Sequence, residues 1–71
     1  MIFTIIQIER TSSTTFIELP VRTFDDRDTA DKFLARLAKK QGWKFKKGRS
    51  IDKYIDTKFL REYYVTDRNI I

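Results

Sequence analysis

The chain has 71 residues, enough for one small domain and no second. A chain this short buries roughly 60% of its unfolded surface, so its core is thin. It contains neither cysteine nor histidine, which excludes disulfides, thiolate metal sites and the usual proton shuttle. Its net charge of +5 favours anionic partners or anionic surfaces.

Residues 1–8 are apolar but lack a basic lead-in and a small-residue cleavage site, so they are read as part of the fold and not as a signal peptide. No stretch approaches the ~20 apolar residues of a membrane span. No membrane association is therefore expected, and the expected location is the cytoplasm, or the host cytoplasm for a viral protein. Residues 3–10 read as a strand, because isoleucine is stiff at χ1 and suits a pleated surface. Both alternation phases are apolar up to Ile6, which predicts a central strand covered on much of both faces. Residues 10–14 form a polar break of hairpin-loop length. Residues 15–22 read as a second strand. Ile17, Leu19 and Val21 alternate there with Glu18, Pro20 and Arg22, predicting one dry face and one wet one. Pro20 cannot donate to a ladder, so this strand is placed at an edge.

Residues 26–41 read as an amphipathic helix. Ala30, Phe33, Leu34, Leu37, Ala38 and Gln41 recur at the spacing of one helical face. Asp25 is the expected N-cap, followed by Asp26, Asp28 and Asp31 near the positive end of the dipole. Gly42 suits the left-handed position just past the last turn. Residues 43–47 read as a short third strand and 47–50 as a turn. Residues 51–57 are open between a helix capped by Ser50 and a loop. Residues 58–65 read as a fourth strand whose inward face is open between Phe59, Tyr63, Val65 and Leu60, Tyr64. Ile70 and Ile71 are placed in a tail, free to pack back or to reach a partner.

The order β-β-α-β-β predicts an α+β fold. It is a single small two-layer domain with an antiparallel sheet of order 2-1-3-4 and one helix packed on one face.

No catalytic residue set emerges. Asp25, Asp26, Asp28 and Asp31 have the chemistry to hold Mg²⁺, but capping and dipole stabilisation account for them. Only two glycines are present, so there is no phosphate-cradling loop. The expectation is a non-enzymatic protein with no cofactor and no metal.

The feature above background is a basic run. Lys32, Arg36, Lys39 and Lys40 fall on the helix face nearly opposite Leu37, where like-charge neighbours at i,i+4 cost about 0.2–0.5 kcal/mol each. The run continues through Lys44, Lys46, Lys47 and Arg49, with no acidic residue between Lys32 and Ile51. Such a run neutralises phosphates, and interleaved aromatics offer stacking surfaces. Alternation sends Trp43 and Phe45 toward the core, with Trp43 kept as a candidate stacker. Helix and sheet outer faces point opposite ways, so the cations are expected to meet at one end, formed by Lys39, Lys40, Lys47 and Arg49. A second candidate surface is the outer sheet face, where Tyr63 or Tyr64 is expected to project beside Arg61. Tyr and Arg are enriched in protein–protein hot spots.

Two functions are compatible with these features. The first is binding of nucleic acid, with about four neutralised phosphates giving a salt slope near −3.6 in log–log form. The alternative is a viral, phage-type accessory protein that binds an acidic surface of a host or defence protein, such as a CRISPR effector, in the manner of an anti-CRISPR inhibitor. Self-association through the sheet edge or the tail would support a thin core and makes a homo-oligomer a third expectation.

Overall fold

A computed structural model of the chain describes residues 2–67. The helix, α1 (Arg27–Gln41), forms over the predicted pattern. Its cap is Asp26, not Asp25. The Asp26 carboxylate accepts from the Thr29 N–H at 2.9 Å and from the Thr29 hydroxyl at 3.0 Å. Thr29 explains the shift by one residue, because only a cap three positions before it collects both donors. At the other end Gly42 sits in the left-handed region at φ 77°, and the Trp43 N–H reaches back to the Ala38 carbonyl at 2.9 Å. That bond satisfies an orphan carbonyl and turns the chain into the next strand.

The Thr29 backbone bond, then its hydroxyl bond, hold the Asp26 carboxyl below the ordinary 3.8. A folded-state value below the unfolded one stabilises the protein above pH 3.8, and this contribution is lost as pH falls through the lowered value. Asn caps as well as Asp but does not ionise. Asp26→Asn is therefore expected to lose less stability than the parent protein on acidification below pH 3.8. Thermal melts of both proteins over that range check this.

The sheet has five antiparallel strands: β1 (Phe3–Arg10), β2 (Phe16–Phe24), β3 (Lys44–Lys46), β4 (Lys53–Asp56) and β5 (Arg61–Thr66). Their order is β2-β1-β5-β4-β3, which corrects the expected four strands in the order 2-1-3-4. Residues 53–56 are the extra strand. They split the C-terminal half into two hairpins, so the chain steps inward from the edge and delivers its last strand beside β1. The expected strand over 58–65 begins later because residues 57–60 are the turn. The buried Asp56 carboxylate organises that turn by accepting the N–H groups of Lys58 at 3.0 Å and Phe59 at 3.3 Å.

β1 is central, and Ile5 and Ile6, on opposite faces, are both fully buried. On the helix side, Ile5, Tyr63 and Val65 pack with Ala30 and Leu34, bordered by Phe3, Phe24, Phe33, Trp43 and Tyr54. On the other side Thr4 pairs with Thr66 and Ile6 with Tyr64, and all four are buried.

β2 lies at an edge, but it has no dry face. Ile17, Leu19 and Val21 are 45%, 41% and 47% exposed. The register slips between Ile5, opposite Arg22, and Ile6, opposite Pro20, which leaves Val21 as an unopposed bulge. A bulge breaks the two-residue period and adds local twist. Beyond it Phe24 turns inward against Phe33, with ring centroids 5.2 Å apart. The Arg22 guanidinium lies 5.3 Å and 4.9 Å from those two rings.

Leu60, in the β4–β5 turn, has φ 56° and is 74% exposed. A left-handed backbone costs a non-glycine residue roughly 1–2 kcal/mol, and asparagine tolerates it better. Little apolar burial is lost on replacing so exposed a side chain. Leu60→Asn is expected to stabilise the fold by about 1 kcal/mol. That corresponds to a rise of roughly 4–8 °C in Tm for a domain of this size, readable by calorimetry.

No helix among the described residues is long and apolar enough to cross a membrane. The Ile70–Ile71 tail lies outside the described residues.

Candidate nucleic-acid interface

The cations divide into two groups. Lys32 pairs with Asp28 at 3.0 Å, Arg61 with Glu9 at 3.6 Å, Lys53 with Glu62 at 3.4 Å and Arg10 with Glu62 at 3.9 Å. Lys32, expected in the outer basic cluster, is thus offset by an acid one turn earlier, an exposed pair worth about 0.3–0.5 kcal/mol. Arg36, Lys39, Lys40, Lys44, Lys46, Lys47 and Arg49 are all exposed, and none has a carboxylate of the described residues within ion-pair distance.

The second group is continuous along the chain. Lys39 and Lys40 occupy the last turn of α1, where the dipole favours cations. At most about 14 Å of chain separates Lys40 from Lys44. Lys44 and Lys46 lie opposite Ile55 and Lys53 and share the sheet face away from the helix. They are about 7 Å apart. These four lysines form a basic strip along the chain, from the helix end through Gly42 to an edge strand.

Lys47 and Arg49 lie elsewhere. They line a cleft of about 460 Å³ together with Arg27, Asp31 and Leu34 of the N-terminal half of α1. β3 leaves the C-terminus of the helix and runs back toward its start, carrying the loop with it. Lys39 lies about 12 Å along the helix axis from Asp31. The end expected from Lys39, Lys40, Lys47 and Arg49 is therefore divided into a strip and a cleft.

The apolar side chains of the cleft lining are Leu34, Phe45, Ile51, Tyr54 and Val65, of which Leu34 and Val65 are buried. Its loop wall is residues 47–52. The Gly48 N–H donates to the Asp52 carboxylate at 3.3 Å, and a Cβ on Gly48 would sit 2.1 Å from the Ile51 carbonyl oxygen. Only glycine fits there. The second carboxylate, that of Asp31, lies 3.9 Å from the Arg27 side chain.

The aromatics exchange their expected roles in part. Trp43 is half-buried and stacked on Tyr63, with centroids 3.9 Å apart and planes 7° from parallel. One face of its ring is already occupied inside the core. Phe45, expected to be core, is 55% exposed and tilted on Tyr54 at 5.2 Å. A three-residue edge strand cannot cover it. Neither tyrosine projects: Tyr63 and Tyr64, on β5 between β1 and β4, are 5% and 3% exposed. Their hydroxyls donate to Gln7 Oε1 at 3.0 Å and Glu18 Oε2 at 2.7 Å. Burial raises the Tyr63 phenol above its ordinary value against the opposing charge of Arg61. Arg61 is itself half-buried. The expected exposed tyrosine beside Arg61 is therefore replaced by Phe59 and Leu60, 60% and 74% exposed at the β4–β5 turn. No sequence pattern announces them, since a left-handed leucine is invisible to periodicity.

No group of three or more Asp or Glu side chains among the described residues gathers to hold a metal ion. No family model matches the chain, and no curated protein and no solved structure is significantly similar to it.

Proposed function

We propose that the protein is a small non-enzymatic nucleic-acid-binding domain that needs no cofactor. The observation that carries this reading is the strip Lys39, Lys40, Lys44 and Lys46, together with Arg36 one turn before Lys40 on α1, all exposed and free of carboxylate partners among the described residues. Five such cations in one stretch repel one another unless counterions or a polyanion screen them. Phosphates do so with a gain in counterion entropy. Nearby acids could have been placed to neutralise them, as Asp28 does for Lys32, and were not. Fluorescence anisotropy of a labelled oligonucleotide, titrated from about 50 to 200 mM salt, tests the reading. Affinity that falls steeply with salt supports it, and absence of binding at the low end removes it.

The protein-binding reading, a viral inhibitor of a host or defence protein, draws on a separate observation, the exposed Phe59–Leu60 tip flanked by Lys58 and Arg61. Apolar side chains held out to solvent are a feature of protein contacts. Partners captured from a nuclease-treated lysate, and lost on Leu60→Asn, would favour it.

A further inference from the structure

We infer that the cleft between α1 and residues 47–52 receives one unpaired nucleotide, the base against Phe45 and Tyr54 and its phosphate on Lys47 and Arg49. This rests on the nucleic-acid reading above and narrows it to single strands. A volume of about 460 Å³ falls in the range of small-ligand sites, far larger than a packing defect. The lining joins apolar side chains to two cations, Lys47 and Arg49, that make no ion pair with a described carboxylate. That division suits a nucleotide, which has a flat apolar face at one end and a charge at the other.

The two carboxylates of the lining are outnumbered by its three cations, Arg27, Lys47 and Arg49. Asp52 accepts the Gly48 N–H, and Asp31 lies beside Arg27. Phe45 supplies the second element. It is the one aromatic ring on β3, over half exposed, and already inclined against Tyr54. A base inserted beside it would cover an aromatic surface that the fold leaves in water, and every base has a π-face to offer. A base within a duplex is already stacked on both sides and would have to be extruded.

The strip and the cleft are joined by β3. It is an edge strand of three residues, with Lys44 and Lys46 on one face and Phe45 on the other. A polynucleotide strand lying along this edge meets the lysines with its phosphates and reaches the cleft with a base. Gly48 lets the wall loop close up on the Ile51 carbonyl, where a larger residue would clash.

The test uses the full chain and a short oligo(dA) strand carrying 2-aminopurine, free or annealed to oligo(dT). The parent protein is expected to bind the single strand more tightly than the duplex and to quench the fluorophore by stacking. Phe45→Leu keeps an apolar side chain at a half-exposed position, so its melting curve should match that of the parent. It is expected to lose from about fivefold to about 150-fold in single-strand affinity, the loss of one stacked base, with duplex affinity unchanged. Gly48→Ala, which displaces the loop, is expected to reduce the same preference. An unchanged single-strand affinity in Phe45→Leu, or an equal loss on both nucleic acids, overturns the cleft assignment and leaves the basic strip standing. Failure of the parent protein to bind either nucleic acid overturns both.

Discussion

Ile5→Ala is expected to leave most of the protein unfolded at 25 °C. Ile5 is fully buried on the central strand, in one cluster with Ala30, Leu34, Tyr63 and Val65. Removing that much side chain from a packed site costs about 2–5 kcal/mol, because the neighbours collapse only partly into the space. A core in a chain this short rarely supplies more than about 3–5 kcal/mol in all. The loss is therefore comparable with the whole stability. Ile6→Ala, equally buried on the other face, should behave alike. Ile17→Ala is the control, since Ile17 is 45% exposed and its truncation should stay near 0.5 kcal/mol. Urea titrations followed by Trp43 fluorescence separate the three, because Trp43 is stacked on Tyr63 only in the folded state. An Ile5→Ala midpoint close to that of the parent would mean that the helix does not rest on this face of the sheet.

Replacing Lys39, Lys40, Lys44 and Lys46 together by alanine is expected to abolish nucleic-acid binding at moderate salt while the fold persists. Each phosphate contact on a duplex contributes about 0.9 to the slope of log K against log salt, and about 0.7 on a single strand. Loss of four contacts should lower the slope magnitude by about 3.6 or about 2.8, respectively. At about 0.1 M salt this is a loss in affinity on the order of 10³-fold or more. None of the four lysines makes an ion pair with a described carboxylate, so stability should be little changed. Lys32→Ala with Lys53→Ala is the informative comparison, because both are already held by Asp28 and Glu62. A slope that falls by the same amount per lysine removed in the two sets would mean that net charge alone, and not the strip, governs binding.

Features that depend only on neighbours along the chain were readable from the residues alone. The helical stripe from Ala30 to Ala38, the left-handed stop at Gly42, the isoleucine-rich central strand and the edge position of the strand carrying Pro20 are all local in origin. The basic run was legible for the same reason, since no acid lies between Lys32 and Ile51. The tertiary structure decided what depends on distant partners. β1 pairs with β5 across some sixty residues, Thr4 opposite Thr66, and no periodicity encodes that choice. The bulge at Val21 puts Arg22 opposite Ile5 where unbroken alternation would put Val21, and both tyrosines of β5 are buried although alternation would divide them between core and solvent. The cleft required Arg27 and Asp31 to meet Lys47 and Arg49 through the return of β3 along the helix. Helix propensity, capping and charge are properties of a few consecutive residues. Strand order and clefts arise only when separate segments compete to bury the same apolar surface.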